Sequence, residues 1–100
     1  MFDPRKLFDM VKNASELQKN MMEKLKNQRI IGEAAGGMVT VEMNGQFEIL
    51  KINIDESLIK EEKSFLEDII KAAMNDASAK VRHQFSEQIK SLAGNLGIFG

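Results

Sequence analysis

The segment GGMVTVEMNGQFEILKINI, residues 36–54, decides the fold because it places two β-like runs around one turn signal. Residues 38–43 and 46–54 alternate in side-chain character or are rich in β-branched residues, which is typical of strands. The dipeptide Asn44-Gly45 between them predicts a type I′ turn, since that turn needs positive φ at both central positions. A two-residue loop also sets the expected register, with the pairs Val39–Leu50, Thr40–Ile49, Val41–Glu48 and Glu42–Phe47.

A further strand and two long helices complete the predicted layout. Gly36-Gly37 predicts a turn before the hairpin, so residues 30–35 are expected to form the first strand. Asp3-Pro4 is a favourable N-cap followed by a first helical proline, and it predicts a helix over 4–28. The last helix is predicted over 62–93, with a flexible tail at 94–100. The order is α-β-β-β-α, an α+β fold in which a three-stranded antiparallel meander carries two protruding helices.

Two features predict that this single domain, residues 1–100, works as a homodimer. A helix over 4–28 is about 36 Å long, whereas a compact domain of this length has a radius of gyration of about 13 Å. Part of the helix must therefore project from the sheet. The predicted sheet also carries apolar side chains on both faces, and one chain can cover only one of them. The candidate interface residues are Val39, Val41, Phe47 and Ile49.

Composition argues against an enzyme and against a disulfide-stabilised protein. The chain has no Cys, which excludes thiolate metal sites and cysteine nucleophiles. Its one histidine, His83, is expected on the solvent face of the last helix without a partner base or ligand. The acidic pairs are adjacent in sequence, and neighbouring residues on a helix do not face each other. No metal, cofactor or small-molecule substrate is therefore predicted. No apolar run approaches the ~20 residues of a membrane span, and the chain is expected in the cytoplasm.

The charge is nearly zero overall but unevenly distributed. The formal net charge is −1. Residues 1–29 carry seven basic and four acidic side chains, residues 30–62 two and seven, and residues 63–100 five and four. If the two helices pack antiparallel, the basic ends meet away from the acidic sheet, where they can contact phosphates. The candidate DNA-binding residues are Arg5, Lys6, Lys12, Lys80, Arg82 and Lys90. The alternative is that these charges are simply solvated.

Three stretches resemble the YbaB/EbfC family of bacterial nucleoid-associated proteins. They are residues 36–45, residues 54–58 and residues 66–77, which include Asn75-Asp76-Ala77. The similarity extends from the first helix to about Leu92. The resemblance implies a tweezer-like homodimer that is joined through the sheets and binds double-stranded DNA on the nucleoid, without cofactor or metal. It also implies that Asn44-Gly45 forms the turn, and that small residues allow close helix packing; these are Ala72, Ala73 and Ala77.

The expected function is to organise the chromosome or regulate gene expression by contacting the DNA backbone. The sequence contains no helix-turn-helix motif, and its three arginines are few for bidentate readout of base edges. Backbone contact is therefore favoured over sequence-specific recognition. The alternative is a homodimeric protein-interaction scaffold that does not bind DNA directly.

Overall fold

The computed structural model describes residues 3–95 and has the predicted α-β-β-β-α order. Asp3 caps the first helix, accepting a hydrogen bond from the Arg5 N–H at 2.9 Å. Gly94 and Asn95 are helical rather than part of a tail, and the rest of the predicted tail lies outside the described residues. No helix within 3–95 is long and apolar enough to cross a membrane. The elements are α1 (Pro4–Lys26), β1 (Ile30–Ala34), β2 (Val39–Met43), β3 (Ile49–Ile54), a 3-10 turn (Glu56–Leu58) and α2 (Lys63–Asn95).

The core lies between α2 and the first two strands. The sheet has the order β1-β2-β3, with both pairs antiparallel, and α2 packs across β1 and β2. Gly32 on β1 allows the closest approach, because a Cβ there would lie 2.5 Å from the Ala73 carbonyl oxygen and 2.6 Å from the Ala77 Cα. The buried residues of this core are Ile30, Val39, Val41, Met43, Leu58, Ile69, Ala73, Ala77 and Val81.

The predicted hairpin register is wrong by four residues. The turn is not a two-residue type I′ turn, because the loop spans residues 44–48 and the positive φ falls at Phe47, at 63°. The Asn44 side chain folds back onto the loop, and its Oδ1 accepts hydrogen bonds from the N–H groups of Gln46 and Glu48. The strand predicted from residue 46 therefore begins at Ile49. A bulge follows at Glu42/Met43, and the observed pairs are Val39–Ile54, Thr40–Asn53, Val41–Ile52, Glu42–Lys51 and Met43–Ile49.

Large apolar surfaces remain uncovered in the single chain. Every residue of β3 is exposed, and α1 has no buried residue along its 23 positions. The chain measures 72 × 29 × 17 Å with a radius of gyration of 19.9 Å, well above the ~13 Å of a compact domain. The prediction that helix length projects beyond the sheet is confirmed. We call α1 the arm.

Two of the candidate interface residues do not face a partner. The side chains of Val39 and Val41 are fully buried against α2 within one chain. Val39 and Val41 alternate with the half-buried Thr40 and Glu42 along β2, which places both valines on the face that α2 covers. Phe47 and Ile49 remain 48% and 41% exposed and stay candidates.

Candidate nucleic-acid interface

The arm presents the first three candidate residues to solvent. Arg5, Lys6 and Lys12 are exposed on α1, and within residues 3–95 none of them has a carboxylate oxygen within 4.0 Å. Residues 4–26 carry six basic and three acidic side chains. The arm is therefore a positively charged rod that stands away from the acidic sheet region.

The basic residues of the arm form a line along the helix, and the candidates predicted from sequence include only two of its four members. Arg5, Lys12, Lys19 and Lys26 recur every seven residues, so they lie along one side of α1 and drift by only about 20° per repeat. Successive members are separated by about 10.5 Å along the helix axis. The seven-residue spacing of basic residues was the signal that could have added Lys19 and Lys26 to the candidates.

A parallel line of carboxylates limits the positive potential of this side. The acidic residues of the arm also recur every seven residues, at Asp9, Glu16 and Glu23. Each lies four residues after one member of the basic line and three before the next, a spacing that brings side chains together on a helix. The arm therefore carries a modest excess of positive charge rather than a dense basic patch.

The structure separates the candidates on α2 instead of grouping them all with the arm. Lys80 lies at the sheet, where its Nζ is 3.0 Å from Asp76 Oδ2 and donates a hydrogen bond to the Ile31 carbonyl at 3.2 Å. Arg82 follows the core residue Val81 and is exposed at the same level. Only Lys90, which is 3.6 Å from Glu87, lies on the part of α2 that runs beside α1. The prediction that all six share one region is wrong, because α2 packs against the sheet as far as Val81.

The distal part of α2 and the end of α1 enclose an apolar groove. Its lining includes Met21 and Leu25 from α1 and Phe85, Ile89 and Leu92 from α2. The groove therefore lies where the last turns of α1 and the distal turns of α2 face each other. The N-terminal turns of the arm extend past the groove.

The two edges of the sheet differ. On β1, the outward Glu33 N–H donates to Asp76 Oδ2 at 2.8 Å, and the Ile31 carbonyl accepts from Lys80. The Glu33 N–H and the Lys80 ammonium hold the pKa of Asp76 below its usual value. Side chains of α2 therefore cover the β1 edge, whereas β3 is the other edge strand and is exposed along its length.

The acidic and histidine side chains of the described residues form no candidate metal centre. Among residues 3–95, no group of three or more His, Asp or Glu side chains could hold a metal ion. His83 is exposed on α2, as expected from its position. The described surface is thus dominated by the charged arm, the apolar groove and the β3 edge.

Comparisons with known proteins point to one family. The family model described as "YbaB/EbfC DNA-binding family" matches residues 2–96, which confirms the resemblance. A nucleoid-associated protein of Hahella chejuensis is 39% identical over 93 residues, covering 90% of this chain and 86% of that protein. One of Afipia carboxidovorans is 43% identical over 95 residues, covering 91% and 90%. The crystal structure of an uncharacterized Helicobacter pylori protein superimposes with a TM-score of 0.72 at 28% identity, covering 96% and 98% of the two chains.

Proposed function

We propose that this chain, which belongs to the YbaB/EbfC DNA-binding family, binds double-stranded DNA on the bacterial nucleoid as a homodimer, mainly through the phosphate backbone. The observation that carries the proposal is the exposed, net positive arm on a molecule 72 Å long. The names of the relatives support nucleoid localisation, because they are nucleoid-associated proteins. Such binding would serve to organise the chromosome or regulate gene expression.

Backbone contact is favoured by the chemistry of the arm. Five of its six basic residues are lysines, which act on phosphates as point charges. Bidentate contacts to guanine are made chiefly by arginine, and Arg5 is the single arginine on α1. Lysine–phosphate contacts position a protein on DNA without reading its sequence. We therefore infer weak sequence preference and strong dependence of affinity on salt.

A titration of DNA binding across salt concentrations tests this contact. The double variant Lys6→Ala/Lys12→Ala removes two charges per chain and four per dimer. Each lost phosphate contact lowers the slope of log K against log salt by about 0.9, so the slope should fall by up to about 3.6. The matched control is Lys60→Ala/Lys63→Ala, which removes two exposed lysines outside the arm, one in the turn before α2 and one at its first residue. Equal losses of DNA affinity in the two double variants would contradict the proposal. Undiminished DNA binding by Lys6→Ala/Lys12→Ala would contradict it as well.

The exposed β3 strand supports a homodimer joined through the sheets. Its apolar residues Ile49, Leu50, Ile52 and Ile54 are 36–43% exposed, which is unusual for an isoleucine-rich strand in a single chain. An exposed apolar edge strand is a template for pairing with another strand. The covered β1 edge offers no equivalent site. We infer that the two copies meet through β3 around a two-fold axis.

Sedimentation of a β3 variant tests the dimer. Ile52→Lys places a charge in the proposed interface and should give an 11.3 kDa monomer at micromolar concentration. Ile59→Lys is the matched control, because Ile59 is 67% exposed but lies beyond the strand. That variant should remain dimeric. A wild-type monomer, or a dimer that Ile52→Lys leaves intact, would refute this interface.

The exposed apolar residues of the arm favour the second candidate function, a protein-interaction scaffold. Phe8, Met10, Val11 and Leu17 are between 61% and 76% exposed in the single chain. Exposed apolar surface of this extent is typical of a site that another protein covers. The discriminating measurement is whether the purified protein alone retards a random duplex at low salt. Retardation supports direct DNA binding, whereas its absence favours the scaffold.

A further inference from the structure

The loop between β2 and β3, residues 44–48, contacts the last turn of the arm through hydrogen bonds. The Gly45 N–H donates to the Leu25 carbonyl at 2.8 Å, and Gln46 Nε2 donates to the Met22 carbonyl at 2.9 Å. Leu25 is among the last four residues of α1, whose carbonyls lack partners within the helix and must find them elsewhere, and the Met22 carbonyl lies just before these four. The loop therefore supplies part of the C-terminal cap of α1 from a segment about twenty residues away in sequence.

Asn44 gives this loop a fixed shape. It is 1% exposed, and its Oδ1 accepts from the Gln46 N–H at 2.9 Å and the Glu48 N–H at 3.0 Å. Its Nδ2 donates to Glu48 Oε1 at 2.8 Å, and its own N–H donates to the Glu48 carbonyl at 3.0 Å. A buried amide with this many partners rigidifies its surroundings. Gln46 is thereby held where its side chain reaches Met22.

The loop and the helix approach each other as closely as main chains can. A Cβ at position 45 would lie 2.9 Å from the Leu25 carbonyl oxygen and 3.1 Å from the Leu25 Cα, and closer still to Gln28 Oε1. Glycine is thus required at this contact for close approach rather than for positive φ. The resemblance-based reading of Asn44-Gly45 as turn residues identified the pair but not this contact.

Within one chain, apolar contact holds the arm only at its end, where Met21 and Leu25 line the groove with α2. No residue of α1 is buried, and Leu25 at its end is only half-buried. After the helix, Arg29 lies 3.6 Å from Glu42 on β2 in a half-exposed ion pair, a type of contact that contributes little. Directional hydrogen bonds from the loop are therefore the contacts best suited to fix the angle between α1 and the sheet.

We propose that Asn44 and Gln46 are positioning residues: the loop at 44–48 sets the angle at which the arm leaves the sheet. Residue 13 lies about 20 Å along the helix from Lys26. A change of about 15° at the base therefore moves it by about 5 Å. Only the consequence for DNA rests on the function proposed above; the angle itself does not.

The test uses spin labels, for which the natural absence of cysteine is convenient. Cysteines replace the exposed residues Asn13 on the arm and Lys71 on α2, and labelled chains are diluted with unlabelled protein so that distances within one chain dominate. The perturbing variant is Gln46→Glu, which keeps the side-chain size but replaces the donor with an acceptor facing the Met22 carbonyl. The matched control is Gln84→Glu, which adds the same charge at an exposed site on α2.

We expect Gln46→Glu to shift or broaden the 13–71 distance distribution by about 5 Å, while Gln84→Glu matches wild type. Gln46→Lys, which retains a donor, should restore the wild-type distribution. Helical content and sedimentation should stay unchanged in all three variants. A wild-type distribution in Gln46→Glu would overturn the proposal, and Asn44→Ala gives an independent second perturbation of the same loop.

DNA affinity measured on the same variants separates this inference from the proposed function. If the distances shift and affinity falls for Gln46→Glu but not for Gln84→Glu, the loop positions an arm that binds DNA. If the distances shift while affinity is unchanged, the positioning role stands and DNA binding through the arm is contradicted. If neither changes, the positioning role is refuted and the function proposed above is untouched.

Discussion

Replacing Gly32 with alanine should destabilise the protein strongly, because β1 and α2 touch through their main chains at this point. The added Cβ would lie 2.5 Å from the Ala73 carbonyl oxygen and 2.6 Å from the Ala77 Cα. Ordinary contacts between such atoms are at about 3.5 Å or more, so the helix must move by about 1 Å. Neither neighbour is a flexible side chain that could rotate away.

The magnitude follows from the cost of overfilling a packed interior. Inserting a methyl group into a tight core costs about 1–3 kcal/mol, and a contact with main chain on both sides belongs at the upper end. For a domain of this size each kcal/mol lowers the melting temperature by about 4–8 °C. A loss of about 3 kcal/mol therefore predicts a decrease of about 12–24 °C. Thermal unfolding followed by circular dichroism at one fixed protein concentration measures it.

Gly94→Ala is the matched control for the same substitution. Gly94 lies in α2, is exposed, and has no atom within 4 Å of an added Cβ. Alanine is the better helix former, so stability should rise by up to about 1 kcal/mol. A Gly32→Ala protein that melts within a few degrees of wild type would contradict the close main-chain contact at this position. A similar decrease in melting temperature in Gly94→Ala would contradict it as well.

Two further changes test other contacts. The pKa of Asp76 is lowered from 3.8 by the Glu33 N–H and by Lys80, so the ionised carboxylate stabilises the fold above that value and the contribution is lost as the pH falls further. Acid unfolding of Asp76→Asn should therefore depend less on pH below 3.8 than that of wild type, and superimposable acid profiles would argue against this contact. Phe47→Asn should stabilise the chain by about 1 kcal/mol in urea unfolding, measured in the Ile52→Lys background, because asparagine tolerates a φ of 63° better than phenylalanine. A decrease in stability would show that the Phe47 ring contributes more to folding than its backbone costs.

The helices could be predicted from sequence because their signals are local. Asp3 and Pro4 mark the start of α1 through capping chemistry, and it begins as expected. The α+β class likewise follows from the alternation of strand-like and helical periodicities. These properties depend on residues that are neighbours in the chain.

The hairpin register could not be predicted, because it depends on a contact with a distant segment. Asn44-Gly45 favours a type I′ turn when considered alone. In the folded chain Gly45 instead donates to Leu25, and the Asn44 side chain takes the place of a turn partner. As a result, Val41 pairs with Ile52 and not with Glu48, as the type I′ turn predicted.

The spatial grouping of the candidate DNA-binding residues could be predicted only in part, for a related reason. Charge counting identified the basic arm, including Lys6 and Lys12. It could not show how far α2 follows the sheet before it meets α1, which depends on the core contacts of Ala77 and Val81. Lys80 therefore belongs to the sheet edge, where it pairs with Asp76.

The covered β1 edge has a consequence for how large an assembly can become. A sheet whose two edge strands are both uncovered could add further copies without limit, as in fibrils. In the three-stranded sheet of residues 3–95, Asp76 and Lys80 occupy one border, so growth can proceed from β3 alone. If two copies pair through β3, the β3 edge of each copy is covered by the other, and no free edge remains for a third copy. In the proposed dimer, these two side chains of α2 would thus limit the assembly to two copies.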